Sequence, residues 1–237
     1  MNKAKKPATE AQPWPASLYA SQRVPVWQPP ANESFVAEDI VEGCREAMQH
    51  LDIDSVTSLG ITSSIRGEGR TTIALATAIV LAEYGLNVVL LELDLVHADL
   101  GQRLAVTKNP GLADLAEGRV KLNDVMRPVF KGLTLAPAGN IHGTAPHAIR
   151  QLATMDLLNT LESQGFVAVA DLPPLLGNSV GHQAACLMAE LVLVVRAGTV
   201  PAASIKQAVA GLPSAPMVLL NATRSRVPTW ARRLSGV

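Results

Sequence analysis

From residue 56 onward, short apolar runs rich in β-branched residues alternate with longer segments whose apolar positions recur at helical spacing. The runs predict strands at residues 56–62, 88–91, 133–136, 166–170, 191–195 and 217–220. The segments between them predict helices at 71–83, 111–116, 122–126, 149–162, 184–189 and 202–210, with Gly85 ending the first. A further helix is expected at 34–51, where Phe35, Ile40, Val41, Cys44, Met48 and Leu51 form one apolar stripe. The strands are continuously apolar rather than alternating, the pattern of a sheet buried on both faces. Strand–helix alternation of this kind predicts a three-layer α/β fold, a mostly parallel sheet with helices on both faces.

Outside this pattern the chain changes character. Residues 1–32 are rich in Pro, Ala and Gln, with Trp14, Tyr19 and Trp27 interspersed, and read as a disordered tail. Residues 224–237 carry Arg224, Arg226, Arg232 and Arg233 around Trp230 and read as a basic tail, leaving 33–223 as one domain. A formal net charge of zero argues against a nucleic-acid binder held by bulk charge. No apolar run approaches the roughly 20 residues of a membrane span, so the expectation is a cytoplasmic protein without direct membrane insertion. Cys44 and Cys186 are expected to be buried free thiols, and His97, His142, His147 and His182 surface or capping residues without metal-ligand spacing. Glu42 and Arg45 are spaced for an i,i+3 ion pair.

The chemistry concentrates after the first strand. Ser64-Ile65-Arg66-Gly67-Glu68-Gly69-Arg70-Thr71-Thr72 joins a strand to a helix through two glycines, the setting of a phosphate-binding loop. Against the pattern G-x-x-x-x-G-K-[ST], Ser64 stands for the first glycine, Gly69 and Thr71 fit, and Arg70 replaces the lysine. Glu92 and Asp94 follow the second strand and Asp171 follows the strand at 166–170, all at the sheet edge that carries the loop. Carboxylates on that rim, with a Thr hydroxyl, form a donor set of the type that holds magnesium beside phosphates.

Together these segments resemble the bacterial tyrosine autokinases of capsule and exopolysaccharide synthesis, on the ParA/MinD-like branch of P-loop NTPases. The loop from Thr62 to Thr72, Glu92-Leu93-Asp94, Asp171-Leu172-Pro173-Pro174, Val194 to Gly198 and Leu219-Leu220-Asn221 fall in that family's order, as do Gly111 to Asp114 and Leu135 to Gly139. The resemblance implies ATP and Mg²⁺ as cofactors. Ser64, Gly67, Glu68, Gly69, Arg70, Thr71 and Thr72 would surround the phosphates, and Asn221 would approach the adenine. Thr71, Asp94 and Asp171 would hold the metal, while Asp94, Glu92 and Arg70 would be the catalytic groups. Glu42 and Arg45 match two positions of a ring-forming E-x-x-R-x-x-R motif, whose last Arg is replaced by Met48.

A membrane-embedded polysaccharide co-polymerase or chain-length regulator is the implied partner. It would recruit a homo-oligomer to the inner face of the membrane. The departures imply weakened or absent phosphotransfer: Arg70 for Lys, Glu92 for Asp, and no C-terminal tyrosine cluster, Tyr19 and Tyr84 being the chain's only tyrosines. The alternatives are a ParA/MinD-type positioning ATPase, disfavoured because Ile65 stands at that group's signature lysine, and a scaffold that has lost nucleotide.

Overall fold

The computed structural model describes residues 36–49, 55–177 and 179–222. The predicted tails, with Trp14, Tyr19, Trp27 and Trp230, lie outside the described residues, as do both ends of the helix expected at 34–51.

In chain order the elements are α1 (Glu38–Met48), β1 (Ser58–Ser63), α2 (Arg70–Glu83), β2 (Val88–Glu92), α3 (Leu100–Arg103), α4 (Leu112–Ala116), α5 (Leu122–Val125), β3 (Arg127–Phe130) and β4 (Leu133–Ala136). They continue with α6 (Ala145–Thr154), α7 (Leu157–Ser163), β5 (Val167–Asp171), α8 (Val180–Ala185), β6 (Glu190–Arg196), α9 (Ala202–Val209) and β7 (Met217–Asn221). The strands form one seven-stranded sheet in the order β3-β4-β2-β5-β1-β6-β7. All pairings are parallel except β3–β4. This is the P-loop NTPase arrangement, and among the described residues no helix is long and apolar enough to cross a membrane.

Each central strand divides its side chains between two cores. Val89 and Leu91 of β2, with Leu191 and Leu193 of β6, face the core under α4 and α6–α9. Val88 and Leu90, with Val192 and Val194, face the core under α1 and α2. That division explains why the runs are uniformly apolar. On β1, Leu59 and Ile61 enter the second core. A Cβ on Gly60 would lie 2.6 Å from Met188 Cγ and 2.7 Å from Leu172 Cδ1, so any larger residue there must displace these core side chains.

Three expectations are corrected. The single helix expected at 149–162 is two, α6 and α7, because Asp156 adopts φ +55° between them. Asp tolerates this left-handed conformation, and the break lets Ile149, Leu152, Leu157 and Leu161 all reach one core. The helix expected at 184–189 runs instead over α8 (Val180–Ala185). The chain needs residues 186–189 to turn into β6, and the Ala189 N–H is held by Ser58 Oγ at 2.9 Å. Cys44 is buried as expected, but Cys186 is exposed, since it caps the end of α8.

The antiparallel strand β3, not anticipated, contains Pro128 and sits at the sheet edge, where a missing N–H costs least. Gly85 does end α2: at φ +90° it lets its own N–H reach Ala82 O and the Leu86 N–H reach Leu81 O.

Candidate functional site

Register creates the site. In β5, Asp171 pairs with Glu92 of β2 and Ile61 of β1, so the ends of three adjacent parallel strands meet at one rim. The Leu93 and Asp94 N–H groups both donate to Asp171 O, at 2.9 and 3.1 Å, which folds the segment after β2 over the end of β5. Side chains beyond these strands must therefore face one another, at the edge where ligands of open parallel sheets bind.

The loop between β1 and α2 is shaped by Gly67 and Gly69, at φ +85° and +95°. A Cβ on Gly69 would also lie 2.2 Å from Asn221 Nδ2 and would have to push that side chain off the loop. Glu68 is wholly buried and acts as a strut. Its Oε2 accepts from the Ile65 N–H (2.9 Å), its Oε1 from the Arg196 N–H (3.1 Å), and its carbonyl from Asn221 Nδ2 (2.8 Å). Asn221 and the end of β6 thus brace the loop from the far side, and Arg196 is a contributor that sequence spacing did not single out. Among the described residues, the N–H groups of Arg66, Gly67 and Gly69 through Thr72 have no acceptor, while Arg66 and Gly67 form a turn. With the N-terminus of the 14-residue α2 beneath them, they form an anion-binding cradle. Ser64 Oγ is buried and unpartnered, as a loop awaiting a polar ligand would leave it.

Arg70 does not extend along this cradle. Its Nη2 donates to Asp94 Oδ2 at 2.6 Å and its Nε to Asp171 Oδ1 at 3.2 Å. The Arg70 side chain is 10% exposed and both aspartates 4%. The Thr71 hydroxyl also bonds to Asp171. Burial raises the Asp171 carboxyl to about 6, against the lowering effect of Arg70 and of the Thr71 bond. His97, expected at the surface, is partly exposed but lies at this rim, with Nδ1 3.4 Å from Asp94 Oδ1.

The four residues Arg70, Thr71, Asp94 and Asp171 are therefore brought together. As they stand they do not fit a divalent ion, because the guanidinium already takes both carboxylates. Among the described residues no group of three or more His, Cys, Asp or Glu side chains is arranged to hold a metal.

Glu92 is not part of that cluster. Its Oε1 accepts from the Leu100 N–H (2.6 Å) and its Oε2 from the Ala138 N–H (2.9 Å). Burial raises its pKa, partly offset by these two bonds. The extra methylene relative to Asp carries the carboxylate to the start of α3 and the loop after β4, where it joins three elements. Glu92→Asp, although closer to the resembled family, is expected to strand at least one of these buried N–H groups. The cost is about 1–3 kcal/mol, read as a lower thermal midpoint without gain of activity.

Elsewhere, Arg45 on α1 pairs with Glu42 and, at 2.7 Å, with Glu83 of α2. Thr72 Oγ1 accepts from Arg103 Nη1 at 3.2 Å. The two short motifs at Gly111–Asp114 and Leu135–Gly139 meet: the Leu112 and Ala113 N–H groups donate to Pro137 O and Ala138 O, both at 2.8 Å.

No protein-family model matches the chain. Over 85 residues it is 34% identical to the antiactivator FleN of Pseudomonas aeruginosa, covering 36% of this chain and 30% of FleN. Over 140 residues it is 26% identical to EpsB of Ralstonia solanacearum, a tyrosine-protein kinase by name, covering 58% of this chain and 19% of EpsB. The chain therefore spans less than a third of the length of either relative.

Among solved structures, the kinase domain of the Escherichia coli tyrosine kinase ETK superposes with a TM-score of 0.72 at 20% identity, covering 85% of this chain and 86% of that one. The BceF tyrosine kinase domain gives 0.61 at 26% identity, covering 77% and 78%. MinD of Pyrococcus horikoshii, solved with Mg-ADP, gives 0.53 at 24% identity, covering 75% and 76%. The order of the strands, the loop after β1 and these likenesses agree: the chain has the P-loop NTPase fold that MinD shares, and within that fold it resembles the domains of bacterial tyrosine kinases.

Proposed function

We propose that this chain is an ATP-binding, tyrosine-kinase-like subunit of a system that makes and exports exopolysaccharide, capsule or a holdfast-type polysaccharide, with phosphotransfer weakened or absent. The observation that carries the reading is the contrast within one site. The cradle of free N–H groups and its glycines are intact, while the groups for chemistry are engaged elsewhere. Asp94 is held by Arg70, and both oxygens of Glu92 accept backbone N–H groups, so neither carboxylate is free to activate a hydroxyl. Attraction of phosphate tolerates such losses far better than transition-state stabilisation does.

In this reading the protein acts in the cytoplasm as a homo-oligomer, recruited to the inner membrane face by a membrane-embedded co-polymerase or chain-length regulator. A MinD-type positioning ATPase is the second reading, supported by the likeness to MinD. Ile65 at the signature-lysine position counts against it.

The test is ATP binding by calorimetry alongside transfer of labelled γ-phosphate to the protein. Binding without self-phosphorylation is the expected result, with Gly69→Val abolishing binding. Rapid autophosphorylation would sink the weakened-transfer reading. ATP-dependent dimerisation with turnover would favour the MinD-type one.

A further inference from the structure

We propose that Arg70 is the resident cation of this site: its guanidinium stands where a divalent metal would bridge Asp94 and Asp171, and the loop takes nucleotide phosphates without magnesium. The inference rests on the nucleotide-binding reading above and specifies its charge balance.

The geometry carries the first half. One planar fork meets two carboxylates through Nε and Nη2, at 3.2 and 2.6 Å, all three groups at least nine-tenths buried. Mg²⁺ would have to shed water reluctantly and also expel a buried guanidinium from both of its partners. A lysine ammonium, compact and single-pointed, could not span the two carboxylates in this way. The third nitrogen, Nη1, is buried and has no partner, which leaves the cation two unused N–H donors in the same loop as the unpartnered Ser64 Oγ.

The surroundings carry the second half. A nucleotide without metal presents its full phosphate charge, which the protein must then neutralise. Arg66 lies on the loop and is exposed. Arg196 Nη1 is 3.4 Å from Gly67 O, and Arg103 Nη1 is 3.2 Å from Thr72 Oγ1. Arg103 is shared with Asp99 at 2.8 Å, whereas Arg66 and Arg196 have no carboxylate partner among the described residues. Guanidinium groups beside free backbone N–H groups are suited to phosphate oxygens, which they bind in pairs and independently of metal.

Three measurements test this. Calorimetry with ATP in EDTA and in excess MgCl₂ should give affinities within about twofold for the full chain, since no metal ligand is contributed by the protein. Titration of MnCl₂ alone, followed by electron paramagnetic resonance, should show no protein-bound Mn²⁺ for the wild type. In Arg70→Ala, which bares both carboxylates, bound Mn²⁺ should appear and MgCl₂ should raise the melting temperature. Should that variant not fold, Arg70→Lys should still show magnesium-dependent ATP binding that the wild type lacks.

ATP binding about tenfold or more tighter with magnesium, or Mn²⁺ bound to the wild-type protein, overturns the inference while leaving the nucleotide reading intact. No ATP binding in either buffer overturns the nucleotide reading and the phosphate half of the inference together. The Mn²⁺ titration then decides the cation half.

Discussion

Arg70→Ala should destabilise the folded protein by about 3–5 kcal/mol at neutral pH, because it leaves Asp94 and Asp171 facing each other in a buried site without their cation. The loss should shrink on acidification, and the sign follows from the protonation equilibrium. The carboxyl of Asp171 is already raised from its ordinary 3.8 to about 6 by burial, so the folded state binds its proton more tightly than the unfolded state does. Stability from this group is fully present below about pH 4 and is lost as pH rises through 6, an effect of order 2–3 kcal/mol in the wild type. Arg70 opposes that rise, so its removal should push the carboxyl higher and steepen the profile. Urea denaturation of wild type and variant from pH 5 to 8 checks this. Curves that stay parallel across the range would show that the ion pairs contribute little to folding.

Gly111→Ala is the second substitution expected to act strongly, and for a reason that has nothing to do with backbone angles. Gly111 is extended, at φ −141°, which any residue adopts. The obstacle is space: a Cβ would sit 2.2 Å from Gly139 N, 2.4 Å from Pro137 O and 2.5 Å from Gly139 Cα, all backbone. Accommodating it means separating α4 from the loop after β4. That breaks the Leu112 N–H to Pro137 O and Ala113 N–H to Ala138 O bonds, and Ala138 also holds Glu92. A loss of about 3 kcal/mol or more is expected, at the upper end for overpacking. Gly118→Ala is the control. Gly118 has φ +70° but nothing within 4 Å of its Cβ, so it should cost only about 1 kcal/mol. Equal midpoints in thermal melts of the two variants would contradict this reading of the junction.

Much of the molecule follows from sequence alone, and for local reasons. Continuously apolar runs placed six of the seven strands; five of these are buried on both faces, where a strand must be apolar throughout, while β7 at the edge leaves Val218 and Leu220 exposed. The glycines of the loop announced an anion cradle, since positive φ and unpaired N–H groups are local properties. The positions of Asp94 and Asp171 after strands of a parallel sheet were enough to put them on the same rim as that loop.

Tertiary structure decided what each of these groups does. Whether Asp156 would break a helix depended on four apolar side chains needing one core. Glu92 follows its strand like a catalytic carboxylate, yet it is held by N–H groups 8 and 46 residues away in the chain. Arg70 has a long, flexible side chain and sits at the mouth of the loop; nothing in its neighbours says whether it turns toward phosphate or inward. Its direction is set by Asp94 and Asp171, 24 and 101 residues distant, whose buried charge only a cation can offset. Periodicity and backbone preference are written along the chain, but the partner of a buried charge is chosen by folding.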